Sequence, residues 1–184
     1  MAETPSKMVA LGSQAPDFAL PEVRSGKMVR LGDFAAGQPL LVMFLCHHCP
    51  YVVHVQQELA RLGRDYRGRA GMVAISANDA EGYPEDAPPG LRRMAAEQGF
   101  VFAFCYDEPQ DTARAYGAAC TPDFFLFDAA RRLAYRGQLD GSRPGNGVKV
   151  DGRDLRAALE ALLANQPVSQ EQRPSLGCNI KWKP

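Results

Sequence analysis

Two cysteines, Cys46 and Cys49, bracket a pair of histidines and are followed at once by Pro50. Thiols at this spacing can cycle between dithiol and disulfide, and the thiolate is the form that attacks. Pro50 bears directly on which sulfur that is. A proline suits the first position of a helix, where its missing N–H is no loss, and it turns the preceding residue away from α geometry. Cys49 is therefore expected at the N-cap of a helix. A sulfur there faces unpaired backbone N–H groups and the positive end of the helix dipole, which can lower a cysteine pKa from about 8.5 into the range of roughly 3.5–7.5. Cys49 is the expected attacking thiolate, with Cys46 the simplest resolving partner.

All four residues of Cys46-His47-His48-Cys49 are also metal-ligand types. Structural zinc usually recruits two separated ligand pairs, and the sequence has no second pair at metal spacing. A c-type haem site needs a histidine directly after the second cysteine, where Pro50 stands. Neither a metal nor a cofactor is expected, and a metal-handling or purely interacting domain is the alternative outside enzymes. The third histidine, His54, falls about 200° round the helix from Val52 and is expected on the solvent side. The other cysteines are Cys105, expected to pack as a small core residue inside a strand, Cys120, two residues before Pro122, and Cys178 in the tail.

The elements around the cysteine turn follow from hydrophobic pattern. Pro39 to Leu45 is a continuous apolar run, which suits a central strand covered on both faces. From Pro50 the apolar positions Val52, Val55, Leu59, Leu62 and Tyr66 recur at helical spacing. Residues 16–31 predict an entry hairpin about Ser25-Gly26, and Met72–Ala77 a second buried strand. The stretch from Tyr83 to Gly90 predicts a loop before a helix over 91–98. A strand over 100–105, a short helix over 109–116, a hairpin of Phe124–Phe127 with Leu133–Arg136 and an amphipathic helix over 154–163 complete the order. Strands and helices alternate and then close with an antiparallel pair, so the fold class is α/β, a mixed central sheet between helical layers. Residues 1–166 are expected to form this domain and 167–184 a tail packed on it. Leu176, Ile180 and Trp182 argue for that packing, because burying a large side chain is worth on the order of 2–3 kcal/mol. A packed tail would bring Cys178 to the Cys46–Cys49 turn, able to form a disulfide there.

The 184-residue chain has 21 Lys plus Arg against 21 Asp plus Glu and 46% hydrophobic residues. Balanced charge gives no footprint for nucleic acid or an anionic membrane surface. No apolar run approaches the roughly 20 residues of a membrane span. Five cysteines, an odd number, do not make a disulfide framework. The first fifteen residues lack the pattern of a secretory signal, so a cytoplasmic location is expected.

The cysteine turn, Tyr83-Pro84-Glu85-Asp86, Cys120-Thr121-Pro122 before Phe124-Phe125-Leu126-Phe127, and the ending Cys178-Asn179-Ile180-Lys181-Trp182-Lys183 together resemble a thioredoxin fold. The nearest likeness is to the peroxiredoxin-like branch of the alkyl hydroperoxide reductase/thiol-specific antioxidant superfamily, from about Leu11 onward. The resemblance implies a thioredoxin core with an added N-terminal hairpin. It also implies a cis Thr121–Pro122 peptide that faces the active turn and holds an extended substrate strand, with Cys120 close enough to Cys49 to be a redox partner. Overlaid on thioredoxin, Cys49 takes the place of the attacking cysteine, its second cysteine falls at Val52, and the buried carboxylate that assists proton transfer falls at Met43. His48 is a substitute base. The Pro-x-x-x-Thr-x-x-Cys motif of peroxidases is not reproduced in either register. The function expected is thiol-disulfide exchange, with Cys49 attacking and Cys46 or Cys178 resolving. A hydroperoxide-reducing or peroxide-sensing antioxidant role is the alternative. The expected partners are a protein or small-molecule disulfide, or a hydroperoxide, and a thiol reductant.

Overall fold

The computed structural model describes residues 3–184. In chain order the elements are β1 (Glu3–Pro5), β2 (Ala19–Pro21), β3 (Met28–Arg30), β4 (Leu40–Phe44), α1 (Pro50–Asp65), β5 (Gly71–Ser76), α2 (Pro88–Glu97), β6 (Ala103–Tyr106), α3 (Asp111–Tyr116), β7 (Cys120–Thr121), β8 (Asp123–Phe127), β9 (Leu133–Gly137), α4 (Arg153–Leu163) and β10 (Leu176–Asn179). Five strands make the central sheet in the order β6-β5-β4-β8-β9. β4 runs parallel to β5 and antiparallel to β8, so the sheet is mixed.

Every residue of β4 is buried, because the pleat sends alternate side chains into two separate cores. Leu41 and Met43 pack with Leu59 and Leu62 of α1, Leu91 of α2 and Leu155 and Leu159 of α4. Leu40, Val42 and Phe44 pack on the other face with Phe18 and Leu20 of the entry hairpin and Tyr116 of α3. The uninterrupted apolar run is thus the signature of a strand with helices on both sides.

Two local readings change. α2 begins at Pro88, three residues earlier than the pattern predicts, because prolines occupy its first turn. Just before it, Pro84–Asp86 forms a 3-10 turn that lies against the start of α2. Gly90 permits this packing, since a Cβ there would collide with the Glu85 carbonyl oxygen. The strands β1 and β10 carry no periodicity that announces them. They form a second, three-stranded sheet in the order β1-β10-β7, attached at the cysteine end of the molecule.

Trp182 does not anchor the tail by burial. It remains 37% exposed, while Ile180 is buried at 1%. The indole instead lies under the Arg114 guanidinium, 4.4 Å from its ring centroid, a cation–π contact that works at a wet surface. Among the described residues no helix is long and apolar enough to cross a membrane.

Candidate active site

β4 delivers the chain to the turn, and α1 carries it away. Cys49 is the N-cap of α1, with extended backbone angles (φ −73°, ψ 121°), and Pro50 takes the first helical position. The Cys49 sulfur makes no capping hydrogen bond of its own. Its surroundings come from two other directions. Thr121 sits across from the turn, its peptide to Pro122 cis. The Thr121 hydroxyl lies 3.1 Å from the Cys46 sulfur, and its carbonyl oxygen 3.1 Å from the Cys49 sulfur. From the tail comes Cys178, whose sulfur is 2.9 Å from that of Cys49. All three cysteines are free thiols, and all three are buried.

These neighbours divide the protons unequally. The neighbouring Cys46 thiol does most to lower the Cys49 pKa, which falls to about 5 against burial, which raises it. The Cys178 S–H and N–H and the Val52 N–H add to the lowering. Cys46 is pushed well up, first because its proton is engaged by Cys49, then by burial and the nearby Asp86 charge. Cys178 is pushed up to about 12 by burial and by the same kind of bond to Cys49. Of the three sulfurs, these surroundings favour the thiolate most at Cys49. The Thr121 carbonyl can accept the Cys49 S–H only while that thiol is protonated. In the thiolate it faces an anion, and the two flanking S–H donors outweigh it.

The turn is held from below by Asp86, which is completely buried. Its carboxylate accepts the His47 N–H at 2.7 Å and the Asn78 amide at 2.7 Å, and lies 2.6 Å from His48 Nδ1. A carboxylate at that nitrogen favours the tautomer with hydrogen on Nδ1. His48 Nε2 is buried and without a hydrogen-bond partner, and the ring stacks on Tyr83 at 5.1 Å. The histidine orientation, open at the level of sequence, is set by this carboxylate. Among the described residues Cys46, His48 and Asp86 are the one group of donors, all within 4.8 Å of one another, that could converge on a cation. Both Asp86 oxygens are already engaged by hydrogen bonds.

One further residue, His54, stands differently from expectation. His54 is half-buried rather than on the solvent side. It lines a small space with Pro122, Ser142 and Arg143, and its Nε2 is buried and unpartnered. Helical spacing alone did not show that the segment Gln138–Arg143 folds over this face. The Cys120 sulfur makes its hydrogen bond elsewhere, while Cys49 and Cys178 are near enough for their charges to raise its pKa. Cys120 alternates with Thr121 along β7, and its sulfur faces the Pro122 carbonyl at 3.6 Å. Burial and the Asp123 charge push its thiol far up. Cys105 is packed in the core, with burial raising its pKa to about 12. Asp86 is not singled out by sequence, where Tyr83–Asp86 stands only as the start of a predicted loop and as part of a likeness.

A mixed sheet between helices, with a cysteine at the N-cap after the central strand and a cis-proline opposite it, defines a thioredoxin-like fold. Within that class, residues 11–136 match the profile of the AhpC/TSA family, and the chain belongs to that family. A crystal structure of an uncharacterized conserved protein from Geobacillus kaustophilus is 52% identical, with a TM-score of 0.98 over 100% of this chain and 98% of that one. A hypothetical protein from Sinorhizobium meliloti 1021 is 45% identical, with a TM-score of 0.96 over 98% of each chain. A thiol:disulfide interchange protein of the thioredoxin family from Chlorobium tepidum TLS shares the fold, at 18% identity and a TM-score of 0.63 over 84% of this chain and 98% of that one. No curated protein matches the chain by sequence.

Proposed function

We propose that this protein is a thiol-disulfide oxidoreductase in which Cys49 is the nucleophile and Cys178 the resolving thiol. The observation that carries the reading is the 2.9 Å approach of the two sulfurs at a helix N-cap. The Cys49 thiolate attacks one sulfur of a substrate disulfide, forming a mixed disulfide and expelling the other sulfur as a thiolate. That leaving group takes up a proton. Cys178, losing its own proton, then attacks the Cys49 sulfur and expels the second substrate thiol. The substrate gains two electrons, and the protein holds them no longer, as a Cys49–Cys178 disulfide. A thiol reductant reverses the sequence. Cys46 remains a donor to Cys49 in this scheme and is the competing resolving thiol. Thr121 and Pro122 form the wall against which the exchange takes place, and Cys120 has no step in it.

A reducing compartment such as the cytoplasm suits a chain with an odd number of free cysteines. The same sulfurs could serve an antioxidant role, with a hydroperoxide oxidising Cys49 to a sulfenic acid and Cys178 condensing on it with loss of water. Family membership favours keeping this second reading.

The test is reduction of a disulfide by dithiothreitol with catalytic amounts of protein. Wild type is expected to accelerate it, Cys49→Ser to fall to the rate without protein, and Cys178→Ser to stall as a trapped mixed disulfide. Mass mapping of oxidised wild type should show Cys49 joined to Cys178. A Cys49→Ser variant as fast as wild type would overturn the assignment. Peroxide consumption under the same reductant, faster than that of free cysteine, would establish the second reading.

A further inference from the structure

An unpaired strand edge beside a nucleophile is where an extended polypeptide docks, because its main-chain groups supply the hydrogen bonds and set the register. At this site that edge is β7, and it is occupied. β10 lies antiparallel on it, with Cys178 opposite Thr121 and Asn179 opposite Cys120. The Ile180 N–H donates to the Ala119 carbonyl at 3.1 Å, and the Ser175 hydroxyl to the Pro122 carbonyl at 2.7 Å. Gly177 lies so close to β7 that a Cβ would collide with the Thr121 carbonyl oxygen. The outer edge of β10 is covered in turn by β1.

This strand is fastened at both ends. On one side Ser175 N–H donates to the Ser6 hydroxyl at 2.9 Å and Ser6 N–H to the Ser175 carbonyl at 2.8 Å. On the other, Lys181 N–H donates to Asn78 Oδ1 at 2.8 Å, and the Gln110 amide donates to the Lys181 carbonyl at 2.8 Å. The sulfurs beneath are sealed, Cys46 and Cys49 at 0% exposure and Cys178 at 3%.

We propose that β10 is an intramolecular occupant of the substrate edge, so that the oxidising substrate is a low-molecular-weight disulfide and a polypeptide disulfide is shut out while β10 stays paired. The proposal rests on Cys49 being the nucleophile, as argued above. Cys178 stands where the sulfur of a docked polypeptide would stand. A small disulfide makes no main-chain pairing with β7, whereas a polypeptide needs the main-chain bonds of β10 to break before it can pair there. The chemistry is unchanged: a small disulfide is cleaved to two thiols, and the Cys49–Cys178 disulfide forms.

The experiment mixes fully reduced, full-length protein with hydroxyethyl disulfide or with insulin in a single turnover, quenches with an alkylating agent and counts protein thiols by mass. Wild type should be oxidised at least about tenfold faster by the small disulfide, since insulin must await strand opening. Gly177→Ala, which pushes β10 off β7, also shifts Cys178, so it is read as a ratio: the insulin rate relative to the hydroxyethyl disulfide rate should rise about tenfold. Ser175→Ala loosens the same strand without a collision and should shift the ratio in the same direction, so the test stands if Gly177→Ala does not fold. Equal rates with the two oxidants in wild type, or an unchanged ratio in a folded strand variant, would overturn the proposal. Loss of neither reaction in Cys49→Ser would instead overturn the reading on which it rests.

Discussion

The neighbouring thiols of Cys46 and Cys178 do more to lower the Cys49 pKa than the backbone N–H at the helix N-terminus does. The helix dipole, the reason that sequence offers for a reactive Cys49, is thus the smaller influence. One consequence is measurable. The ultraviolet absorbance of thiolate should appear with a midpoint near 5 as pH rises, and correspond to one sulfur. Cys46→Ala removes the leading donor, so the midpoint should move up; a midpoint that stays where it was would show that Cys46 does not hold the charge in place. Cys178, pushed up to about 12, should contribute no absorbance near neutral pH.

At the scale of elements, the turn is a suspended structure. It hangs between β4 and α1 and is tied down by a carboxylate from the 3-10 turn that precedes α2. Asp86→Ala would leave the His47 N–H and the Asn78 amide without acceptors in a buried site. That should lower the unfolding free energy by about 3 kcal/mol, read from urea denaturation. Asp86→Asn keeps one acceptor oxygen and should lose about 1–2 kcal/mol. A variant with wild-type stability would mean that water replaces these bonds. α1 and α4 are joined in a similar way by Glu58, buried at 3%, which accepts from Arg156 at 2.7 Å and from Arg61 at 2.6 Å.

For the molecule as a whole, one of the groups through which pH acts on stability is Asp123 at the start of β8. Burial pushes its carboxyl up to about 7, and the Ala119, Phe124 and Cys120 N–H groups only partly oppose this. A raised carboxyl binds its proton more tightly in the folded state. The stabilisation is complete below the ordinary value of 3.8 and is lost as pH rises through about 7. Cys49, whose pKa is lowered to about 5, contributes in the opposite sense as pH rises above that value, so the Asp123 share is read as a difference between proteins. The urea unfolding free energy of Asp123→Asn minus that of wild type should rise with pH over the same window. A difference independent of pH would show that Asp123 does not carry this contribution. The global strand arrangement has its own consequence at the site, because the second sheet joins the chain's two ends over the sulfurs.

The sequence by itself determined what is local. An apolar run without alternation, followed by Cys49-Pro50 and a helical period, is enough to specify a buried strand, an N-cap sulfur and a helix, since each depends on residues within a few positions. The mixed sheet followed from the order of such segments. Tertiary structure alone decided what reaches the turn from elsewhere. Asp86 arrives 38 residues after His48 in the chain, through a 3-10 turn seated against Gly90. Cys178 lies 129 residues from Cys49, and the sequence argument for a docked tail leaned on Trp182, which stays at the surface. What docks the tail is main-chain pairing of a four-residue strand, and such pairing leaves no periodicity in side chains. Backbone hydrogen bonds are the same for every residue, so the sequence can show that a cysteine is present in the tail while only the folded register sets which sulfur it meets.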